Sequence, residues 1–64
     1  MYYEIKGYNA VKPVDQYDDV AYNKSEKNVL IKQYKEYLHN KEIDTFKVAS
    51  YLNDGELKGI VIYS

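Results

Sequence analysis

The part of the chain that most constrains its fold is residues 24–40, because their apolar spacing fits one secondary structure only. On a helical wheel the large apolar side chains share one stripe, and the polar ones face away from it. The pattern predicts an amphipathic helix of about 16 residues, roughly 24 Å long, which can cover one face of a small sheet. The stripe comprises Leu30, Ile31, Tyr34, Tyr37 and Leu38, and the opposite side carries Asn28, Lys32, Lys35, Glu36 and His39.

Capping signals place the start of this helix. Asn23 followed by Glu26 is a variant of the capping box, in which the carboxylate also meets the positive end of the helix. Ser25 is a competing N-cap. At the other end, the polar run at residues 39–41 suits a last turn with exposed carbonyl groups.

Two shorter segments precede the helix. Residues 2–8 alternate so that Tyr3 and Ile5 point to one face, which predicts a first strand. Lys12 and Pro13 then interrupt regular structure, since proline removes a backbone donor. Residues 14–23 are acidic and aromatic, and within this predicted loop residues 20–22 favour a short second strand.

After the helix, the apolar pattern changes to a period of two, and Asp54-Gly55 is typical of a type I′ hairpin turn. A two-residue loop at these positions sets the register of two strands. It predicts the pairs Leu52 with Leu57, Ser50 with Gly59, Val48 with Val61, and Phe46 with Tyr63. One face then collects Phe46, Val48, Leu52, Leu57, Val61 and Tyr63, and we expect this face to meet the helix.

A second helix over residues 44–53 is the alternative, and it would produce a helix-turn-helix with a short wing. The β-branched and aromatic residues from Thr45 to Tyr51 favour strands instead. The sequence therefore predicts a single α+β domain over residues 1–64. It has two layers, three or four antiparallel strands with one helix on one face, in the order strand, loop or short strand, helix, hairpin.

Composition restricts the class of protein. The 64 residues contain no cysteine, so disulfides and thiolate metal sites are excluded. We find neither a signal peptide nor a membrane-spanning apolar run, and we expect a cytoplasmic protein. All nine basic residues are lysine, which with the many Tyr, Asn, Ile and Asp residues is typical of an AT-rich genome. The absence of arginine argues against sequence-specific DNA binding.

No motif in the sequence indicates catalysis. The single histidine, His39, lies on the polar side of the predicted helix, and the serines have no base spaced to activate them. Asp15, Asp19 and Glu26 are spaced as in a calcium loop, but the other positions of that motif do not match. We therefore expect a non-enzymatic protein with no cofactor and no metal site.

Two surfaces are candidates for binding a partner. A single helix leaves the second face of the sheet uncovered, so that Ala49 and its neighbours form an apolar patch rich in tyrosine. The segment around Tyr17 combines carboxylates with aromatic rings and could occupy a basic groove on another protein. Residues 1–23 carry a formal charge of −2, whereas residues 24–41 carry +3. The predicted partner-binding residues are Tyr17, Asp18, Asp19, Tyr22, Tyr51, Ile60 and Ile62.

These features predict a protein-binding module that acts by covering a surface of its partner. The small size and the lysine-only, tyrosine-rich composition resemble those of small phage or mobile-element proteins that inhibit host proteins, anti-defence and anti-CRISPR inhibitors among them. The expected partner is a host protein with a basic groove, such as one that handles nucleic acid. Two alternatives remain: a small nucleic-acid-binding regulator, through a winged helix or a sheet platform, and a structural or adaptor subunit that forms homodimers.

Overall fold

The computed structural model describes residues 1–9 and 17–64. Within these residues, four antiparallel strands form one sheet in the order β2-β1-β3-β4, and one helix packs on one face of it. This arrangement confirms the predicted α+β class. The predicted break at Lys12 and Pro13, and the first residues of the predicted loop, lie outside the described residues. The elements are β1 (Tyr2–Tyr8), β2 (Asp18–Ala21), α1 (Lys24–His39), β3 (Thr45–Tyr51) and β4 (Leu57–Tyr63).

β1 is a central strand, flanked by β2 and β3. Its alternation is as predicted, since Tyr3 and Ile5 are buried on the side that faces the helix. The short second strand is confirmed with shifted bounds: β2 begins at Asp18, and Tyr22 lies beyond its end. The shift follows from pairing, because Asp18 and Asp19 lie opposite Lys6 and Ile5 of β1.

Both ends of α1 have defined caps. The Asn23 side chain accepts a hydrogen bond from the backbone N–H of Glu26, which confirms Asn23 as the predicted N-cap. Its amide also donates one to the Glu26 carboxylate, whereas in a capping box this carboxylate accepts from the backbone N–H of the N-cap residue. The helix ends in a Schellman motif, in which Lys41 takes the left-handed conformation with φ of 63°. The backbone N–H groups of Lys41 and Glu42 donate to the carbonyls of Leu38 and Tyr37.

The core lies between α1 and strands β1, β2 and β3. Tyr34 of the helix is fully buried, and its ring centroid lies 5.6 Å from that of Phe46 on β3. The rest of the predicted helical stripe packs against the same core, which confirms the helical face. The buried core residues are Tyr3, Ile5, Ala21, Tyr34, Ile43, Phe46 and Val48, and the partly buried helical residues are Leu30, Ile31, Tyr37 and Leu38.

The β3–β4 hairpin has most of the predicted register. Phe46 pairs with Tyr63, Val48 with Val61, and Ser50 with Gly59, as predicted. The predicted pair of Leu52 with Leu57 is wrong, since Leu57 pairs with Tyr51 across a register shift.

The predicted type I′ turn is also wrong, because the loop has one more residue than expected. Leu52 N–H donates to the Glu56 carbonyl and Gly55 N–H to the Leu52 carbonyl, so the loop is residues 53–55. Such a loop needs positive φ at one residue only, and Gly55 supplies it with φ of 89°. Asp54 instead accepts a hydrogen bond from the Glu56 N–H at 2.9 Å.

Residues Thr45–Tyr51 form the predicted strand, so the second helix of the winged-helix alternative does not form. The expectation that the helix covers the whole predicted face of the hairpin is wrong: Phe46 and Val48 are buried, but Leu52, Leu57 and Val61 are exposed. The reason is strand order, because α1 packs over β1 to β3 and β4 lies beyond them at the sheet edge.

Candidate protein-interaction surface

β4 is an edge strand that exposes apolar side chains on both faces. Val61, on the helix side, is 54% exposed, and Ile60 and Ile62, on the opposite side, are 49% and 70% exposed. Leu57 is also exposed. Because β4 pairs only with β3 among the described strands, one line of its backbone N–H and C=O groups is left for another chain. We call Leu57, Ile60, Val61 and Ile62 the β4 surface.

The two edges of the sheet differ in how they are protected. β2, at one edge, has four residues, of which two are the carboxylates Asp18 and Asp19. Short length and charge are the usual means of preventing unwanted strand pairing. β4 has seven residues, and its one charged residue is Lys58. β4 therefore has the features of a strand that pairs with another chain.

The second face of the sheet is the one that α1 leaves uncovered. Ala49 is nevertheless buried there, between Glu4 and Ile60 of the neighbouring strands. Tyr51 is half-buried, and its ring stacks on that of Tyr2 with 5.0 Å between centroids. Of the predicted site residues, Tyr51, Ile60 and Ile62 are thus brought together on one side of the sheet, next to the free edge.

The lysines of this second face have partners of their own. Lys6 lies 3.4 Å from Glu4 and 4.0 Å from Asp18, and hydrogen bonding to Glu4 raises the pKa of Lys6. Lys47 lies over the ring of Tyr8. The Glu4 and Asp18 carboxylates offset the charge of Lys6, which weighs against the sheet-platform form of nucleic-acid binding.

The other four predicted site residues lie at the β2 edge, three strand spacings or about 14 Å from β4. Two of them make contacts with residues of the core. Tyr17 packs edge-on against Tyr37, with 4.9 Å between ring centroids, and its hydroxyl donates to Glu42. Asp19 accepts a 2.7 Å hydrogen bond from the buried Tyr34 hydroxyl. Burial, followed by this hydrogen bond, raises the pKa of Tyr34.

The remaining two residues of the predicted acidic surface are exposed. Asp18 is exposed beside Lys6, and Tyr22 is 72% exposed just after β2. They stay candidates for contact with a basic groove, as a surface separate from β4. An open groove of about 440 Å³ lies nearby, between β2 and the first turns of α1.

Sequence reasoning missed a second groove, which lies between the first turn of α1 and β4 and has a volume of about 360 Å³. Its floor follows one row of the sheet, in which Tyr3 pairs with Ser50 and Ser50 with Gly59. Ser50 and Gly59 are small, and a methyl group added at Gly59 would meet no atom within 4 Å. The groove exists because the small residues of this row leave space above the sheet.

Three lysines line this groove, and we call it the lysine groove. Lys24 and Lys27 come from α1 and Lys58 from β4. The Lys27 ammonium group lies 4.9 Å from the centroid of the Tyr3 ring. Within residues 1–9 and 17–64, no carboxylate forms an ion pair with any of the three, because the ion pairs found there belong to Lys6. The groove is therefore positively charged.

Comparison with protein-family models, with curated proteins and with solved structures gave no match. In the described part of the chain, no group of three or more His, Asp or Glu side chains is placed to hold a metal ion. The one helix there is too short and too polar to span a membrane.

Proposed function

We propose that this protein is a non-enzymatic binding module that covers a surface of another protein, with β4 as its principal contact. The observation that carries the proposal is the β4 edge, where unpaired backbone groups lie between apolar side chains on both faces. An extended segment of a partner can add to such an edge as a further strand, with main-chain hydrogen bonds for affinity and side chains for specificity.

In its more specific form, the proposal is that the module is an inhibitor, encoded by a phage or mobile element, that acts on a host protein in the cytoplasm. The support for this form is compositional: a small chain, lysine as the one basic residue, and nine tyrosines. Tyrosine suits contact surfaces because it offers a large rigid area at low entropic cost. The nucleic-acid alternative is less well supported, since the second helix is absent from residues 45–51 and Lys6 is ion-paired.

The test is a capture experiment with a matched pair of variants. Ile62→Ser removes an apolar side chain from the β4 surface, where it is 70% exposed, and Val29→Ser removes one from α1, where it is 67% exposed. Tagged wild type and both variants are incubated with a lysate from a low-GC bacterium, and bound proteins are identified by mass spectrometry. We expect a protein that wild type and Val29→Ser retain and Ile62→Ser loses.

Circular dichroism of each variant establishes that the fold is kept. If Ile62→Ser and Val29→Ser retain the same proteins in the same amounts, β4 is not the contact and the proposal fails. Size-exclusion chromatography with light scattering tests the homodimer alternative. A dimer in wild type that Ile62→Ser dissociates would mean that β4 binds a second copy of this chain.

A further inference from the structure

The lysine groove and the β4 surface are adjacent, and together they define what kind of segment can bind. We infer, on the basis of the proposed function, that they bind an extended protein segment in which acidic residues alternate with apolar residues. Three features favour such a segment: the alternation of side chains along a strand, the charge of the groove, and the space above Gly59.

Alternation follows from strand geometry. The side chains of a strand added beside β4 point in turn to the two faces of the sheet. Those on the second face meet Ile60 and Ile62, which are exposed and apolar. Those on the helix side lie next to Gly59 and Val61, at the mouth of the lysine groove. The two faces of the edge thus favour different side chains.

The groove selects for carboxylates. Lys24, Lys27 and Lys58 line it, and no described carboxylate pairs with them. Lys24 is also the first residue of α1, so the positive end of the helix dipole adds to the local potential. Carboxylates of a bound segment can accept charge-assisted hydrogen bonds from these ammonium groups.

The space above Gly59 admits such side chains. A methyl group added at Gly59 would meet no atom within 4 Å, so the groove is open beside this residue. Tyr3 also lines the groove, and its ring holds the Lys27 ammonium group in place beside it.

Two other occupants fit less well. β4 of a second copy would bring Lys58 and no carboxylate, so the groove would face additional positive charge. A nucleic acid offers phosphates, but it cannot form the strand hydrogen bonds that the β4 backbone leaves open. The protein also has no arginine and a net charge of −1, which gives little long-range attraction for nucleic acid.

The experiment uses fluorescein-labelled peptides and fluorescence anisotropy with the full chain. The probe is an octapeptide of alternating glutamate and valine, and the controls are the lysine-valine analogue and a single-stranded oligonucleotide. We expect saturable binding of the glutamate peptide that weakens as salt rises, because the contacts are exposed charges. The lysine peptide should bind at least about tenfold more weakly, a difference of about 1.4 kcal/mol.

Variants locate the binding. Lys24→Glu should weaken binding of the glutamate peptide about five- to tenfold, whereas Lys32→Glu, on the exposed side of the same helix, should change it less than about twofold. Lys24→Glu should leave the helix folded, since a carboxylate in the first turn is favourable. Gly59→Phe fills the groove without a clash at its Cβ and should abolish binding.

The outcomes separate this inference from the proposed function. Equal binding of the two peptides, or equal effects of Lys24→Glu and Lys32→Glu, overturns the acidic specificity. If the acidic specificity is overturned but Ile62→Ser still loses the partner that wild type captures, the proposed function stands without that specificity. Tighter binding of the oligonucleotide than of the glutamate peptide also overturns the inference and supports the nucleic-acid alternative.

Discussion

The hydrogen bond between Tyr34 and Asp19 should contribute measurably to stability. Tyr34 is fully buried on α1, and its hydroxyl donates to the Asp19 carboxylate of β2 at 2.7 Å. Hydrogen bonds to charged groups contribute about 1.5–3 kcal/mol, and partial exposure of the acceptor reduces this range. We therefore expect Tyr34→Phe to lower the free energy of unfolding by about 1.5 kcal/mol. The ring contacts with Phe46 and Tyr37 remain in this variant.

A double-mutant cycle measures the coupling directly. Urea unfolding, followed by circular dichroism, is carried out on wild type, Tyr34→Phe, Asp19→Ala and the double variant. We expect a coupling energy of about 1 kcal/mol or more between the two positions. Tyr37→Phe is the control, since its hydroxyl has no hydrogen bond within the described residues, and it should change stability by less than about 0.5 kcal/mol. A coupling near zero would refute the role given to this bond.

The raised pKa of Tyr34 gives the same bond a pH dependence. Burial and the bond to Asp19 keep the Tyr34 hydroxyl protonated in the folded state, whereas in the unfolded chain it ionises near its ordinary pKa of about 10. Above pH 10 the unfolded state therefore releases a proton that the folded state keeps, and stability falls as the pH rises. Tyr34→Phe lacks this contribution, so its stability should fall less than that of wild type between pH 9 and about 11.

Three backbone positions yield further predictions, each checked by urea unfolding. Gly7→Ala should destabilise by about 1–3 kcal/mol, because its Cβ would lie 2.9 Å from that of Tyr17, whereas Gly59→Ala meets open space and should be tolerated. Gly55→Val should cost about 1–3 kcal/mol, since a β-branched residue is strained at its φ of 89°; a loss below about 0.5 kcal/mol would contradict this. Lys41→Gly should stabilise by up to about 1 kcal/mol, because glycine adopts the left-handed conformation without strain, and no gain would mean that Lys41 makes compensating contacts.

The features that the sequence predicts correctly are those with local signals. The stripe from Leu30 to Leu38 repeats with the helical period, and Asn23 with Glu26 marks the cap within four residues of chain. The alternation around Tyr3 and Ile5 marks a strand in the same way. Each of these patterns is read from neighbouring residues, so each was available without knowing the tertiary structure.

Strand order has no such local signal. The wrong prediction that the helix covers the whole face of the hairpin follows from this lack. Val61 alternates with its neighbours in the same way whether β4 is covered or at an edge. A helix is about 10 Å wide and strands are about 4.8 Å apart, so one helix covers two to three strands and leaves the fourth exposed. Which strand is left out depends on β1 pairing with β3 rather than on any residue of β4.

The predicted acidic surface shows the same limit for individual side chains. Asp18 and Asp19 are adjacent residues of the same type, so composition alone does not indicate which of the two is exposed. In a strand they point to opposite faces, so Asp18 is exposed while Asp19 meets Tyr34 beneath the helix. The lysines are likewise separated by position, since Lys24 and Lys27 reach the groove beside β4 and Lys32 does not.

The energetics of β4 connect the fold with the proposed function. Full burial of a Leu, Ile or Val side chain contributes about 1.5–3 kcal/mol, and a domain of this size has little stability to spare. Between 49% and 70% of the surface of Ile60, Val61 and Ile62 is left in water, so the free protein lacks about 1 kcal/mol of stabilisation at each position. A strand added to β4 would bury these side chains. This burial would stabilise the complex, and it would also raise the free energy of unfolding of this protein while the partner is bound. Any partner that binds through β4 should therefore raise the melting temperature, and the increase should be smaller for Ile62→Ser than for Val29→Ser.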